Sequence, residues 1–436
     1  MLKRAVIVLF LIAALLLTGC STTSGSGGTG SGSQPYAGQT IKVLMEQHTS
    51  TDAIQKLLPQ FEAATGIHVV LDVVPYNNLT SKALLGFSQH SSQYDVVFDD
   101  WVHGVGYAQA GYIQPVDQYA SQLPQYYDSK DFVPAYFNTP RVNGQQYGLP
   151  VYGESTFLMY RKDLFQQYNI AVPRTMNDLA AAAQKIYTAT HGSTYGITLR
   201  GQQGIQNAYV WSAFLWAFGG QWLKNGRVVI DSPQAVQALT FYTNLLKQYG
   251  PPGVANFGWQ ENRLLFQQGK AAMTIDATVN GAYNEDSTQS SIVGKVGYAL
   301  VPTAVANPVG SPSSLETHAL YLSKFSQHPQ AAWLFMSWAT SKQTQISRMT
   351  IAPDSGVTSL AAINSQAFKQ RYGAFSQAML DSLHQGNINY LPQIAQANQV
   401  INNAGVAISQ ALVGSQTPQA ALSTAAQQSN QLLSGS

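Results

Sequence analysis

Residues 141–165 read RVNGQQYGLPVYGESTFLMYRKDLF, and the architecture turns on how that stretch is understood. Asn143-Gly144 supplies the positive φ that a tight hairpin turn requires. The chain then stiffens at Pro150, runs aromatic and apolar from Tyr152 to Tyr160, and ends on Arg161-Lys162-Asp163. A single carboxylate, Glu154, stands among the rings. A turn, an extended passage and an isolated polar group in one segment suit a crossover between two lobes that also lines the cleft between them. Gly148-Leu149-Pro150 would form its hinge, and Tyr160 to Phe165 reads as the start of a second-lobe helix.

Upstream, Ile41 to Met45 is a short apolar strand leading into Glu46-Gln47-His48. A helix follows with Ala53, Ile54, Leu57, Leu58 and Phe61 on one face; Ser50 or Thr51 is placed to cap it and Gly66 to stop it. Ile67 to Val74 is a β-branched strand, about Leu79 to Gln89 a helix, and Tyr94 to Phe98 a third strand. This alternation is the grammar of a parallel sheet with helices on both faces, whose ligands sit beyond the carboxyl ends of the strands. Those ends carry Glu46-Gln47-His48 and Asp99-Asp100-Trp101. The plainer reading of the second group is an exposed helix cap. Asp99 and Asp100, if extended, point to opposite sides.

Downstream, Thr175 caps an Ala-rich helix, with Asp178 completing a capping box, and Tyr195 to Leu199 reads as a strand. Tyr209 to Phe218 is the most aromatic stretch of the chain. Most of its rings belong to a helix core, leaving one or two near its start to stack on a ligand. Helix, glycine stop and buried strand then lead to a polar terminus at Asp276. Strands follow at Val296 to Pro302 and Ala319 to Leu322, then a helix from Pro329 and a Gln- and Ala-rich helical tail.

The N-terminus reads as a secretion signal: Lys3 and Arg4, then an apolar run from Ala5 to Leu17 that is short for a membrane span. Leu17-Thr18-Gly19-Cys20 resembles a lipobox, whose cysteine is lipidated and begins the mature protein. The alternative is an ordinary secretory signal with an incidental cysteine. Because Cys20 is the only cysteine, disulfides and thiol-based metal sites or nucleophiles are excluded. The Gly/Ser/Thr stretch after it reads as a flexible leash.

Charged residues make up 10% of the chain and net charge is +2, against about 25% charged in ordinary soluble proteins. No Lys/Arg cluster is available to neutralise a run of phosphates, which excludes nucleic acid as a partner. The low charge motivates the hypothesis that the protein works in acid, where carboxylate ion pairs lose value and amides and hydroxyls do not. Stability that is maximal at neutral pH and collapses below about pH 4 would refute it. No GxxxxGK[ST], HExxH or GxSxG occurs, so phosphate-loop, zincin and hydrolase-elbow chemistry lack their minimal residues. The carboxylates Glu46, Asp99, Asp100, Glu154 and Asp276 leave open a glycosidase, which needs an acid and a base or nucleophile. Carboxylates interleaved with rings also suit a polyhydroxylated ligand: charged oxygens accept strongly from hydroxyls, and ring faces cover C–H surface.

The segments FEAATGIHV, YDVVFDD, AGYIQPVDQY, RVNGQQYGLP followed by E-x5-YRKDLF, VPRTMNDL, LFQQGKAAM and AAWLFMSWATSKQ are, in this order and spacing, highly specific. With them the chain resembles the family 1 extracellular solute-binding proteins of carbohydrate ABC importers, the maltose- and polyol-binding type. DATVNGAY, VGKVGYALVP, ETHALYLSK and ISQALVGSQTPQAAL look most like its sorbitol/mannitol branch. Two positions depart from the pattern: Met176, where the family often has Trp, and Glu316-Thr317, where it often has Gly-Gly or a Trp.

The resemblance implies a type II periplasmic-binding-protein-like α/β fold, with two lobes, a hinge and a ligand cleft between them. It places a lipoprotein signal at 1–19, an anchored linker at 20–38, a first lobe at 39–148 plus 318–352 and a second at 149–317 plus 353–436. Crossovers fall near Leu149, Thr317 and Pro353. It implies ligand contacts from Asp99, Asp100, Glu154, Trp211 and Asp276, with Tyr152, Glu46, His48 and His318 beside them. It implies no catalytic residue, cofactor or metal. The expected protein is a monomeric lipid-anchored receptor on the extracellular face of the cell membrane, handing a sugar or polyol to ABC permease subunits. The competing readings are a secreted carbohydrate hydrolase and a receptor that docks on something other than a permease.

Overall fold

β-Branched and apolar runs set up the first half of the molecule. The computed structural model describes residues 34–435; the signal segment, Cys20 and most of the leash lie outside the described residues. Strand β1 (Thr40–Glu46), helix α1 (Thr49–Thr65), β2 (His68–Val74), α2 (Tyr76–Ser88), β3 (Val96–Asp100) and α3 (Trp101–Gln109) follow the expected alternation. β1 pairs in parallel with β2 and β3, and Ile41, Val43, Leu44 and Met45 are fully buried in it, as a covered parallel strand requires. The cap of α1 differs from expectation. His48, not Ser50 or Thr51, takes the N-cap position, and its Nδ1 accepts the Ser50 amide at 3.2 Å. Gly66 ends the helix at φ 70° with its amide on the Glu62 carbonyl.

The hairpin forms as expected: Asn143 and Gly144 have φ 50° and 81° and close the pairing of Arg141-Val142 with Gln145-Gln146. Beyond it come β4 (Gly148–Glu154), β5 (Thr156–Arg161), α4 (Ile205–Ala217), α5 (Trp259–Gln267), β6 (Met273–Ala277), β7 (Val296–Ala299), β8 (Glu316–Leu322), α6 (Pro329–Ala339) and α7 (Lys342–Ile351). Two principal sheets result, one in the order β2-β1-β3-β8-β4 and one in the order β6-β5-β7. Only the first three strands are parallel. β8 lies antiparallel between β3 and β4, and the second sheet is antiparallel throughout. Both belong to one compact unit, Tyr36–Ser436.

The chain changes sheet at Ser155, later than the expected Leu149. The whole of Gly148–Glu154 is held in the first sheet by β8, from Tyr321 opposite Gly148 to Glu316 opposite Glu154. It returns to that sheet at Glu316, beside the expected Thr317. After α7 the chain passes Pro353 along the edge of β4, where the Gly153 amide donates to the Gly356 carbonyl at 2.8 Å. Gly153 itself is fixed by packing, since a Cβ there would lie 2.4 Å from the Tyr136 ring. Tyr195–Leu199, expected as a strand, is an extended segment bonded to Lys270 and Met273 beside β6 without a regular ladder.

The main core is aromatic. Phe61 packs against Phe335 and Trp338, and Trp333 is fully buried with its indole N–H on the Leu123 carbonyl at 2.8 Å. Every residue of α4 from Gln206 to Ala217 is buried, so this helix is apolar on all sides because it lies inside. Among the described residues no helix is long and apolar enough to cross a membrane.

Candidate functional site

The carboxyl ends of β1 and β3, with β4 and β8, open onto a cleft facing the second sheet. Period-2 alternation puts Tyr152 and Glu154 on one face of β4, and Glu316 and His318 on one face of β8. Register sets His318 opposite both Tyr152 and Asp100, and Glu316 opposite Glu154. All these side chains line the cleft, as do Glu46 and His48 at the end of β1. From the other side come Arg200, Tyr209, Trp259 and Val279. The cavity left between these walls is small, about 40 Å³, well under the roughly 300–1,000 Å³ of small-molecule sites, so the walls must part to admit a ligand.

Three rings form a stack along one wall. Tyr152 lies 4.5 Å from His48 at 13° and 4.0 Å from His318 at 21°. The Tyr152 hydroxyl donates to Glu46 Oε2 at 3.0 Å, and Tyr76 donates to Asp100 Oδ2 at 2.5 Å. His318 bridges two acids: Nδ1 pairs with Asp100 Oδ1, and Nε2 lies 3.5 Å from Glu154 Oε1. Tyr209 reaches the same Glu154 oxygen at 3.4 Å and Ser314 at 3.1 Å.

Burial acts on each of these groups, and charge decides which way it resolves. It opposes the charge on His318, yet the Asp100 carboxylate, with Glu154, holds the imidazole pKa well above its usual value. Burial likewise opposes ionisation of Asp100, but the His318 charge and hydrogen bond bring that carboxyl down to about 2. Glu46 lacks such a partner, and burial pushes it up to about 8 despite His318. Glu316 is raised well above the carboxylate range by burial and then by Asp100. His48 is pushed down to about 3 by burial, with His318 adding to the effect. The cleft floor is therefore a set of buried acids sharing one imidazolium.

The profile of the bacterial extracellular solute-binding protein family matches residues 47–346. The chain belongs to that family. It is 29% identical over 410 residues to the mannitol-binding protein of Pseudomonas aeruginosa, covering 89% of this chain and 92% of that one. The solute-binding protein of an ABC transporter from Agrobacterium radiobacter K84, solved with ribitol, superposes with a TM-score of 0.85 at 26% identity, covering 91% of this chain and 100% of that one. Its counterpart from Agrobacterium vitis S4, solved with D-mannitol, gives 0.83 at 27% identity over 91% and 99%. The α/β periplasmic-binding-protein fold and the non-enzymatic role follow, and the hydrolase reading falls with them.

In this solute-binding protein the structure brings Glu46, His48, Asp100, Tyr152, Glu154 and His318 together in one cleft. Asp99, Trp211 and Asp276 sit behind its walls instead. Asp99 points away from Asp100, as alternation requires, and is saturated by Tyr107 at 2.5 Å, His103 at 2.9 Å and Thr80 at 3.3 Å. Trp211 is fully buried edge-on against Trp222. Asp276 is fully buried and held by Arg200, by Asn262 at 2.7 Å and by the Ala277 amide at 2.7 Å. It contributes to the cleft through Arg200, which it orients over the Tyr209 ring at 4.9 Å.

Sequence reasoning misses Tyr76, Arg200, Trp259 and Glu316 as lining residues. Tyr76 follows the strand-ending Pro75 and Arg200 follows the extended Tyr195–Leu199, so the strand-end rule applied at Glu46 finds both when extended to them. Trp259 carries no local signal. The Asp99, Asp100 and His103 side chains converge closely enough to hold a metal ion, but Tyr107, Thr80, Tyr76 and His318 already occupy their ligand atoms.

Proposed function

We propose that the protein is a monomeric receptor, lipid-anchored through Cys20 on the extracellular face of the cell membrane. It captures a sugar or polyol between its lobes and delivers it to the permease of an ABC importer. The observation that carries this reading is the cleft itself, in which buried carboxyl groups at the strand ends stand among the rings of Tyr152 and of Tyr76, Tyr209 and Trp259 from the neighbouring helices. Acceptors of that strength suit hydroxyl donors, and the rings suit a C–H surface. Relatives that bind mannitol and ribitol support the polyol end of the range.

The lobes divide where the chain changes sheet, so that the first comprises β1 to β4 with β8 to α7, and the second the remainder. Ligand-driven closure would draw on polar contacts that span them: Asn77 on α2 accepts from Gln206 on α4 at 2.9 Å and donates to Gln202 at 3.1 Å.

A thermal-shift panel of polyols, monosaccharides and oligosaccharides tests the ligand class, because binding to the native state alone raises the melting temperature. Mannitol or ribitol should raise it; no shift with any carbohydrate overturns the reading. Cys20→Ala should release the protein from membranes into the medium, and membrane retention of that variant would remove the anchor.

A further inference from the structure

Within that polyol reading, on which this inference rests, Glu316 is unexplained. It stands opposite Glu154 across β8 and β4 and is 4% exposed against 7% for Glu154. Its Oε1 is buried in the cleft wall with no hydrogen-bond partner among the described residues. A buried polar atom without a partner is costly, and here it lies in a field that makes it costlier. Four carboxyl groups, Glu46, Asp100, Glu154 and Glu316, line the cleft, with His318 and Arg200 as the cations. The Arg200 guanidinium is committed to Asp276 behind the wall, and His318 is shared between Asp100 and Glu154. Nothing cationic is left for Glu316.

We propose that the Glu316–Glu154 pair binds the ammonium group of an aminated polyol or amino sugar, so that the cleft prefers an amine over the matching alcohol. An ammonium brings three donors and a full positive charge, enough to engage Glu316 Oε1 and the long Glu154 contacts together. A hydroxyl brings one donor and no charge. The field that keeps the His318 imidazole protonated acts in the same direction on a ligand nitrogen. The proton that burial retains on Glu316 is the one an arriving ammonium displaces to solvent.

Calorimetric titration at neutral pH with matched pairs tests this: 1-amino-1-deoxy-D-glucitol against D-glucitol, and glucosamine against glucose, with mannitol and ribitol as neutral references. The expected result is an amine bound at least about tenfold more tightly than its alcohol and than both references, a difference a charge-assisted bond can supply. Glu316→Gln should shrink that preference to within about threefold. Equal or tighter binding of the alcohols by the unaltered protein overturns the inference and leaves the polyol receptor intact. An amine preference that survives Glu316→Gln also overturns it. If no compound binds, both this inference and the receptor's ligand class fail. Should Glu316→Gln not fold, the comparison on the unaltered protein still decides.

Discussion

Asp100 closes β3 and Asp276 lies near the end of β6; each is buried, and each meets a basic residue from a distant part of the chain. Behind the second wall, Arg200 meets Asp276 through Nε at 3.1 Å to both oxygens, and Asn262 and the Ala277 amide take what remains. That carboxylate is fully engaged and its counterion belongs to it alone. In the cleft, Asp100 has His318 only in part, since the imidazolium also faces Glu154, and Glu46 and Glu316 crowd the same space. The first arrangement fixes a wall. The second leaves acceptors facing a cavity, which is what separates a structural ion pair from a binding surface built of the same residue types.

Removing one partner of the closed pair should have the largest effect on this contrast. Asp276→Ala leaves Arg200 buried and unpaired, with an expected loss of about 3–5 kcal/mol in urea unfolding. If stability held and only ligand affinity fell, Asp276 would belong with the cleft and the distinction would collapse. In the cleft, Glu154→Ala should weaken ligand binding by roughly 1.5–3 kcal/mol and cost less stability than Asp276→Ala; unchanged affinity would make Glu154 structural.

A pH series probes the crowding of acids directly. Glu46 has its folded pKa raised to about 8, so its contribution to stability is complete below its unfolded value and is lost as pH rises through about 8. His48, lowered to about 3, contributes fully above its unfolded value and loses that contribution as pH falls towards 3. Stability from these two groups should therefore peak in mild acid. Glu46→Gln should remove on the order of 2 kcal/mol of the decline between about pH 5 and pH 7. A stability difference between the parent and Glu46→Gln that stays constant over that range would count against a buried Glu46 without a cationic partner.

The adjacent pair offers a finer cut. Asp99→Asn should cost about 1–2 kcal/mol of stability with affinity nearly unchanged, and Asp100→Asn should lower affinity more than stability; the reverse pattern would exchange their roles. The smallest change is expected for Gln206→Ala, about 0.5–1.5 kcal/mol, read as faster ligand release as the contact with Asn77 is lost.

Much of the fold is legible in the residues alone. The 3.6-residue spacing of Ala53, Ile54, Leu57, Leu58 and Phe61 marks α1, and Asn143-Gly144 marks the hairpin, because both signals are local. The ring-rich stretch Tyr209–Phe218 reads as core, with one or two rings near its start left for a ligand, and Tyr209 is the one that lines the cleft. The cap of α1 escapes the same reading because a histidine nitrogen does the work usually done by a hydroxyl or carboxylate. The proline and glycine around Leu149, where the crossover is expected, look like a break, whereas β8 pairs with β4 on both sides of Pro150 by shifting register between His318 and Ala319.

By itself the sequence determined the elements, their order and the residue types at the strand ends, since backbone propensity and apolar periodicity act over a few residues. Alternation also required that Asp99 and Asp100 face opposite ways. Only the tertiary structure decided which of them entered the core. It also joined Arg200 to Asp276, 76 residues away, and set Glu316 opposite Glu154. Those outcomes depend on the register of strands that meet from distant parts of the chain. No local preference encodes that register.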